Sequence, residues 1–551
     1  MAEPPHPPGP LSAGGEEERN AEGRRERSRL VARAGVVGAG TLASRLLGLL
    51  RDITLAAVFD RAATDAWWVA FTIPNALRQL LGEGAVASAV VPVLSQKLAK
   101  DGDAAARLFF ARVRGVSLVA LACVTVLGVS FAGPLTELFA HGYRERAGEL
   151  ERTAALTRAV FPYIFFMGTA ALGMAALNAN RRFAVAAFAP GLLNVALLAA
   201  ALGLPGVLAA TGHDPVLALA VGALAGGVLQ VAAQWPALRA IGYASAPRFV
   251  LDDDVRAVLR RIAPLTFGIG VYYIDLVLSR RFLSELGVGA QSYFSWAMRL
   301  CDFPQGIFVM ALSTAALPAL STLAARGARG ELAKTWAHGM NLAMFVALPA
   351  SAALVAIGEP VVVALFQRGA FDAQAAHETA RALAWQGGAV WTVAVVRQTV
   401  PGFYALGDTR TPVAVSAIDL CVFIALAIVF KGPMGHVGVS IAVAGSSATQ
   451  MVLLLAGLRW RLGTICGALV LRSTGRTLVA SIVASALGWA TARLATPLGP
   501  AGAAARALPG LAGTVVFTVV FVVAARAMRS PELQEIVSTL RRRLRGGGVA
   551  T

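Results

Sequence analysis

Apolar runs recur along the chain from residue 34 nearly to the C-terminus, and most reach the roughly 20 residues that a helix needs to cross a bilayer. Outer-membrane barrels alternate apolar and polar positions in segments of about 10 residues instead. The pattern therefore predicts an all-α integral membrane protein. Fourteen transmembrane helices are expected, near 34–58, 66–94, 112–133, 154–177, 184–204, 214–236, 258–280, 288–318, 336–357, 381–404, 411–430, 436–458, 474–494 and 508–528. An even number puts both termini on one side of the membrane.

The polar positions between these runs give the orientation. Arg and Lys crowd alternate loops: Arg24 to Arg33, then Lys97, Lys100 and Arg107, Arg181 and Arg182, Arg239 to Arg261, Arg326 to Lys334, Arg410, Arg459 to Arg476 and Arg541 to Arg545. The opposite loops are poorer in cations, except that Arg144, Arg146 and Arg152 stand among glutamates in the third-to-fourth connection. By the positive-inside rule both termini face the cytoplasm of a bacterial inner membrane. The net charge of +18 then reflects orientation rather than nucleic-acid binding. Residues 1–33 read as a disordered cytoplasmic tail and 531–551 as a basic one.

The chain also repeats. VPVLS (Val91–Ser95) returns as LPALS (Leu317–Ser321), and ALNANRRF (Ala176–Phe183) as FYALGDTRTP (Phe403–Pro412). GGVLQ (Gly226–Gln230) has a fainter echo in GSSATQ (Gly445–Gln450). Two parallel six-helix lobes are expected, 34–240 and 255–460, with two further spans at 474–530 outside the repeat. Parallel repeats around a central site are a transporter architecture.

Composition matters most where it breaks the pattern. Only 15% of residues are charged, yet several of those lie inside apolar runs. In SRLLGLLRD (Ser44–Asp52), Arg45, Gly48 and Asp52 share a helix face, with Arg51 about a third of a turn away. The second span carries Asp65 near its edge, then Asn75, Arg78 and Gly82 on one stripe with Glu83 beside it; the eighth carries Arg299 one turn from Asp302. An ionisable group in hydrocarbon costs about 3 kcal/mol on insertion scales, so such residues face a wet cavity or one another. The competing reading makes Arg45–Asp52 and Arg299–Asp302 local ion pairs and lets Arg78 reach an interface. Four arginines on three spans favour a cationic cavity. Arginine suits a diphosphate, because its planar guanidinium makes paired hydrogen bonds to phosphate oxygens and stays protonated.

Asp275 and Asp419 lie deep in the second half with no Lys or Arg within a turn. They could share a hard cation through oxygen ligands, one could carry a proton, or they could be two separate acids. Cys123, Cys301, Cys421 and Cys466 lack metal-ligand spacing and read as buried, inert thiols. The six histidines are scattered and no P-loop sequence occurs, which excludes the usual hydrolase constellations and ATP hydrolysis; no cofactor is expected.

SRLLGLLRD, ATDAWWVAFTIPNALRQLLGEGA, FPYI (Phe161–Ile164), NRRF with FAPGLLN (Phe188–Asn194), MRLCDFPQG and PGFYALGDTRTPV resemble the MurJ (MviN) lipid II flippases of the multidrug/oligosaccharidyl-lipid/polysaccharide (MOP) exporter superfamily. The likeness runs from about residue 34 to 530. It implies two lobes around a cavity, a groove for a lipid tail along the last two spans, and lipid II as substrate. Membrane lipids and the cell-wall synthesis machinery would be its other partners. The family's cavity arginines correspond to Arg45, Arg51, Arg78 and Arg299, and its acidic positions to Asp52, Asp65 and Glu83. Some relatives have a sodium site between the helices that carry Asp275 and Asp419 here, so a coupling cation, Na+ or H+, or the membrane potential would reset the cycle. Gln79 and Met298 depart from the family pattern, which loosens any charge-pairing scheme. The remaining alternatives are a sister exporter of drugs or another lipid-linked glycan, an enzyme acting on polyprenyl phosphates, and a non-transporting scaffold.

Overall fold

The structure, a computed structural model, describes residues 38–546 apart from 39, 79–84, 269, 464, 466 and 498–501. Every regular element among the described residues is a helix. Nine are long and apolar enough to cross a membrane unaided: Gly102–Ser130, Glu149–Ala179, Phe183–Gly203, Leu217–Ala240, Arg329–Ala356, Arg410–Met434, His436–Leu462, Gly467–Leu494 and Ala503–Ala527. The first, second, seventh, eighth and tenth expected spans are not among them.

Those five carry most of the intramembrane charges, and two of them, the eighth and the tenth, are interrupted among the described residues. The second is described over Arg61–Arg78 and Ala85–Lys100 and the seventh over Asp253–Gly268 and Gly270–Ser284, all helical. The tenth breaks at Ala389, between Ala373–Gly388 and Val390–Ala405. The eighth runs from Ala290–Pro304 through a π-helical turn, Gln305–Val309, into Met310–Ala325. Proline at the end of the first segment removes a backbone donor, and a π turn absorbs the mismatch in the ladder. Polar, broken helices are tolerated at membrane depth only where protein or water surrounds them.

The repeat is visible in backbone geometry. Arg182 N–H donates to the Leu177 carbonyl at 2.8 Å, with Arg181 in the left-handed region; Asp408 N–H donates to Phe403 at 2.9 Å, with Gly407 left-handed. Arg181 and Gly407 stand as far apart in sequence as Pro92 and Pro318 of the VPVLS and LPALS motifs.

The packing has the form of a V. At the end away from the described chain termini a single apolar cluster spans both halves, joining Leu55, Trp67, Trp68 and Tyr163 to Tyr293, Trp296, Phe366 and Val390. At the other end the cores are separate: Val90, Leu94, Phe109 and Leu172 form one, Leu320, Trp336, Met340 and Phe403 another. Ala85–Lys100 packs within the first lobe and Met310–Ala325 within the second. Asp253–Gly268 packs on the first lobe, where Lys97 Nζ lies 2.7 Å from Asp254 and Arg112 pairs with Asp252.

Polar clasps lock the joined end. Ala370 N–H donates to the Ala57 carbonyl at 2.8 Å, and Arg61 binds Asp372 and Gln374. Asp372 also accepts from the Ala375 amide, and that bond, followed by the Arg61 charge, holds its carboxyl below the usual range. Gly142 N–H donates to Ser284 Oγ at 3.1 Å.

Two expectations need revising. Cys123 and Cys421 are exposed on the surface, and only Cys301 of the described cysteines is buried. Apolar helix faces that meet lipid have no reason to hide a thiol. The basic C-terminal segment is not merely a tail. Residues Pro531–Gly546 form an amphipathic helix docked through buried Glu532, which accepts from Ser473 Oγ at 2.5 Å and Ser530 Oγ at 2.7 Å. Residues 1–33 and Cys466 lie outside the described residues.

Gly369 brings the two lobes into close backbone contact at the closed end. It adopts φ +56°, and a Cβ there would lie 2.1 Å from the Ala57 carbonyl oxygen. Gly369→Val should therefore part the lobes at this end. Water-soluble thiol reagents should label a cysteine placed at Ala57 faster in the variant than in the parent; equal labelling would remove this contact as the closing element.

Candidate functional site

The first and eighth spans cross at the seam of the V, and the charged residues meet there. Arg51 turns its Nε and Nη2 onto one oxygen of Asp52, at 2.8 and 2.6 Å. From the second lobe, Arg299 places Nε 3.5 Å from the other Asp52 oxygen and Nη1 4.0 Å from Asp302. One buried carboxylate is thus shared by guanidinium groups from two lobes. Arg299 nevertheless keeps 37% of its side-chain surface exposed, and Asp302 51%, so the group opens into a hollow.

Arg45 reaches the same place from a turn and a half earlier on the first span. Its guanidinium lies against the π-helical turn: a Cβ on Gly306 would come within 2.3 Å of Nη1. Its charge acts on Asp302. A side chain at this glycine would displace the end of the arginine from its place against the turn. Arg45, Arg51 and Arg299 outnumber the two carboxylates beside them, so the hollow is cationic.

The other expected residues fall into separate groups. Arg78 Nε donates to Asn75 Oδ1 at 3.0 Å, on the face of the second span that the periodicity indicated. Glu83, Gly82 and Gln79 lie outside the described residues. Asp65 is not in the hollow. It is buried at the closed end, accepting from Gly289 N–H at 2.6 Å, Ser292 N–H at 2.8 Å and Ser292 Oγ at 2.6 Å. It caps the opening turn of Ala290–Pro304, so a side chain of the first lobe starts the second lobe's arginine helix.

Asp275 and Asp419 come together in the second lobe, close enough for their charges to interact. Ser446 stands beside the Asp419 carboxylate, and Asp419 Oδ1 is buried with no hydrogen-bond partner. No group of three or more His, Cys, Asp or Glu residues suited to a metal ion occurs among the described residues.

Three residues of the site were not singled out from sequence. Asn194 accepts from Arg51 Nη1 at 2.8 Å and donates to the Ser44 carbonyl at 2.9 Å, tying the fifth span to the first. Trp68 offers its ring to Arg299 at 5.3 Å and to Arg280 at 5.7 Å, with Trp296 edge-on at 5.0 Å. Arg397, in the broken tenth span, acts on Asp302. An arginine inside VVRQTV met the criterion applied to the other four.

A family model described as lipid II flippase MurJ matches residues 55–506. The chain belongs to the MurJ lipid II flippase family. A probable lipid II flippase MurJ of Bdellovibrio bacteriovorus is 34% identical over 436 residues, covering 78% of this chain and 82% of that protein. The lipid II flippase MurJ of Burkholderia cenocepacia is 34% identical over 427 residues, covering 76% and 82%. Among solved structures, a lipid II flippase MurJ in an inward closed conformation superposes with a TM-score of 0.71 at 20% identity, over 89% of this chain and 99% of that one. An inward-facing multidrug resistance MATE transporter of the MOP superfamily gives 0.62 at 14% identity, over 77% and 96%. The two-lobed fold is therefore that of MurJ and its MOP relatives.

Asp65 yields a clear test. Replacing it with alanine strands donors from Gly289 and Ser292 in a buried place, at about 1–3 kcal/mol for each lost partner. Asp65→Ala should lower the thermal unfolding midpoint of purified protein by several degrees. An unchanged midpoint would mean that the cap contributes nothing.

Proposed function

We propose that this chain is a lipid II flippase working by alternating access, with its diphosphate-binding site at Arg45, Arg51 and Arg299 and with Arg78 on the approach. The observation that carries the reading is the sharing of Asp52 by arginines of both lobes at the apex of the V. With both termini cytoplasmic, as the loop charges indicate, the open end faces inward and the clasped end faces the periplasm. The polyprenyl-linked precursor would enter from the cytoplasmic leaflet, its tail staying in lipid along the last two spans.

The diphosphate would compete with Asp52 and Asp302 for the guanidiniums of both lobes. Each arginine offers paired donors to phosphate oxygens, and the hollow raises the strength of those bonds above their value in water. Such binding can shift the inward and outward states only by its difference in affinity between them. The clasps at Ala57–Ala370, Arg61–Asp372 and Asp65–Ser292 must release for the site to open outward. Asn75, on the helix that also bears Asp65 and Arg78, would orient Arg78.

The Asp275–Asp419 pair is the proposed seat of the coupling cation. Two carboxylates with the Ser446 hydroxyl offer oxygen donors to a hard monovalent ion, Na+, or one carboxyl can carry H+. Asp419 Oδ1 has an unmet acceptor that suits either occupant. Such an ion supplies charge compensation for the pair, and moving one charge through 100 mV contributes about 2.3 kcal/mol toward resetting the cycle. A MATE-like exporter of cationic drugs fits less well, since such a cargo calls for acids and aromatics where this hollow presents guanidiniums.

Arg45→Ala, Arg78→Ala and Arg299→Ala should each fail to rescue a bacterium depleted of its own flippase while inserting normally, with lipid II remaining in the inner leaflet in an accessibility assay. Rescue by all three would reject the binding site. In proteoliposomes, the double change Asp275→Asn and Asp419→Asn should abolish the response of transport to sodium and proton gradients. A response equal to the parent's would move the coupling site elsewhere.

A further inference from the structure

A second cationic cavity, about 830 Å³ in volume, lies at the closed end of the second lobe, away from the seam. Helix Gly358–Phe366 walls it on one side and the ends of Gly467–Leu494 and Ala503–Ala527 on the other. These walls are firmly joined. Gly510 is pressed on the Pro360 carbonyl so closely that a Cβ would come within 2.3 Å of the oxygen.

Two arginines line the cavity. Arg493, in the last turn of its helix, stands over the Trp489 ring at 5.3 Å. Arg506, in the first turn of the next helix, has a buried Nε that meets no hydrogen-bond acceptor. Gln367 and Thr496 add neutral polar groups. The one acid in the lining, Glu359, has an oxygen 3.0 Å from His377 Nδ1. Around this polar end the walls are apolar, with Val363, Pro360 and Pro509 inside and Leu494 and Leu508 exposed nearby.

Other cations at this end are paired with acids: Arg61 with Asp372, Arg144 with Glu137, Arg152 with Asp214 and Lys431 with Glu285. Among the described residues neither Arg493 nor Arg506 has such a partner, so these two call for a local anion. An orphaned guanidinium donor, a ring that holds a second guanidinium and an apolar mouth at the level of lipid headgroups describe a ligand with a phosphate at one end and hydrocarbon at the other. We infer that this cavity binds the phosphodiester headgroup of an anionic glycerophospholipid of the outer leaflet, with Arg493 and Arg506 on the phosphate and the acyl chains along the exposed faces of the last two spans. A bound headgroup would brace the Gly358–Phe366 helix, whose following residues Gly369 and Ala370 close the lobes on Ala57. The site is independent of what the central hollow carries.

The test uses the purified chain in detergent, delipidated and then offered phosphatidylglycerol or phosphatidylcholine, with retained lipid read by native mass spectrometry. The parent should hold phosphatidylglycerol in preference to phosphatidylcholine, and the double change Arg493→Gln and Arg506→Gln should weaken retention by about tenfold or more, the scale of losing charged donors to a phosphate. Arg506→Lys should keep part of it. Should the double variant not fold, exposed Arg493→Gln alone carries the comparison. Equal retention by the folded variant, or of the two lipids by the parent, would overturn the inference. Displacement of the lipid by millimolar inorganic phosphate, or by undecaprenyl diphosphate in preference to phosphatidylglycerol, would also overturn it, assigning the cavity to another phosphate source.

Discussion

A guanidinium group cannot be left in hydrocarbon, and the architecture follows from where this chain puts its own. Each buried arginine needs either a carboxylate or water, at a cost of about 3 kcal/mol on insertion scales when it has neither. Those of the seam, Arg45, Arg51 and Arg299, sit on helices that are short, broken or mixed in polarity, and those helices turn toward one another. Among the apolar helices, those late in the chain, such as Arg410–Met434 and Ala503–Ala527, are left mostly to face lipid, whereas Glu149–Ala179 is largely buried in the protein. The seam between the lobes is therefore the place where the bilayer's rules are suspended, and the charge that makes it useful is also what requires it to be enclosed.

The same helices carry the site and the clasps, which is how the two are mechanically joined. The second span holds Asp65 at the closed end and Asn75 and Arg78 farther along. The eighth begins on the Asp65 cap, presents Arg299 to Asp52, and then turns through the π-helical stretch on which Arg45 rests. A rigid segment from Gly289 to Pro304 would transmit a change in the Arg299 environment to the cap within a few helical turns. Packed cores move between discrete arrangements rather than deforming smoothly. A shared core at one end and separate cores at the other fit a hinge of that kind.

Much of this was legible in the sequence. Run length gave an all-helical membrane protein, with nine of the expected spans present as long apolar helices among the described residues, and periodicity put Asn75 and Arg78 on a common face. Partners across helices were not legible. A helical wheel fixes which residues share a face, but not which neighbouring helix that face meets. Asp52 therefore looked like a partner for Arg45, one face and two turns away, whereas it binds adjacent Arg51 and distant Arg299. Asn194 was invisible for the same reason, since an asparagine in an apolar run announces a polar contact without naming it. Asp65 was legible as a residue near a membrane edge, but its partners were not, since they are mainly backbone amides of the other lobe, which have no side-chain signature. The cationic cavity at the closed end was missed because it joins the ends of two spans outside the repeat to a short helix far earlier in the chain.

Asp52 sets how tightly any anion can be held. Its two oxygens already engage Arg51 and Arg299. An incoming diphosphate on the proposed reading would exchange one set of charge-assisted bonds for another, not gain them outright. Removing one partner from a buried pair strands the other at several kcal/mol, whereas swapping partners is close to neutral. A carrier must release its cargo as readily as it takes it up, and only the difference in affinity between its two states does useful work. A resident carboxylate bridging the lobes meets both needs: it keeps the guanidiniums stable when the site is empty, and it caps the affinity so that the cargo can leave. An arginine pocket with no acid inside it would bind a diphosphate more tightly and transport it less well.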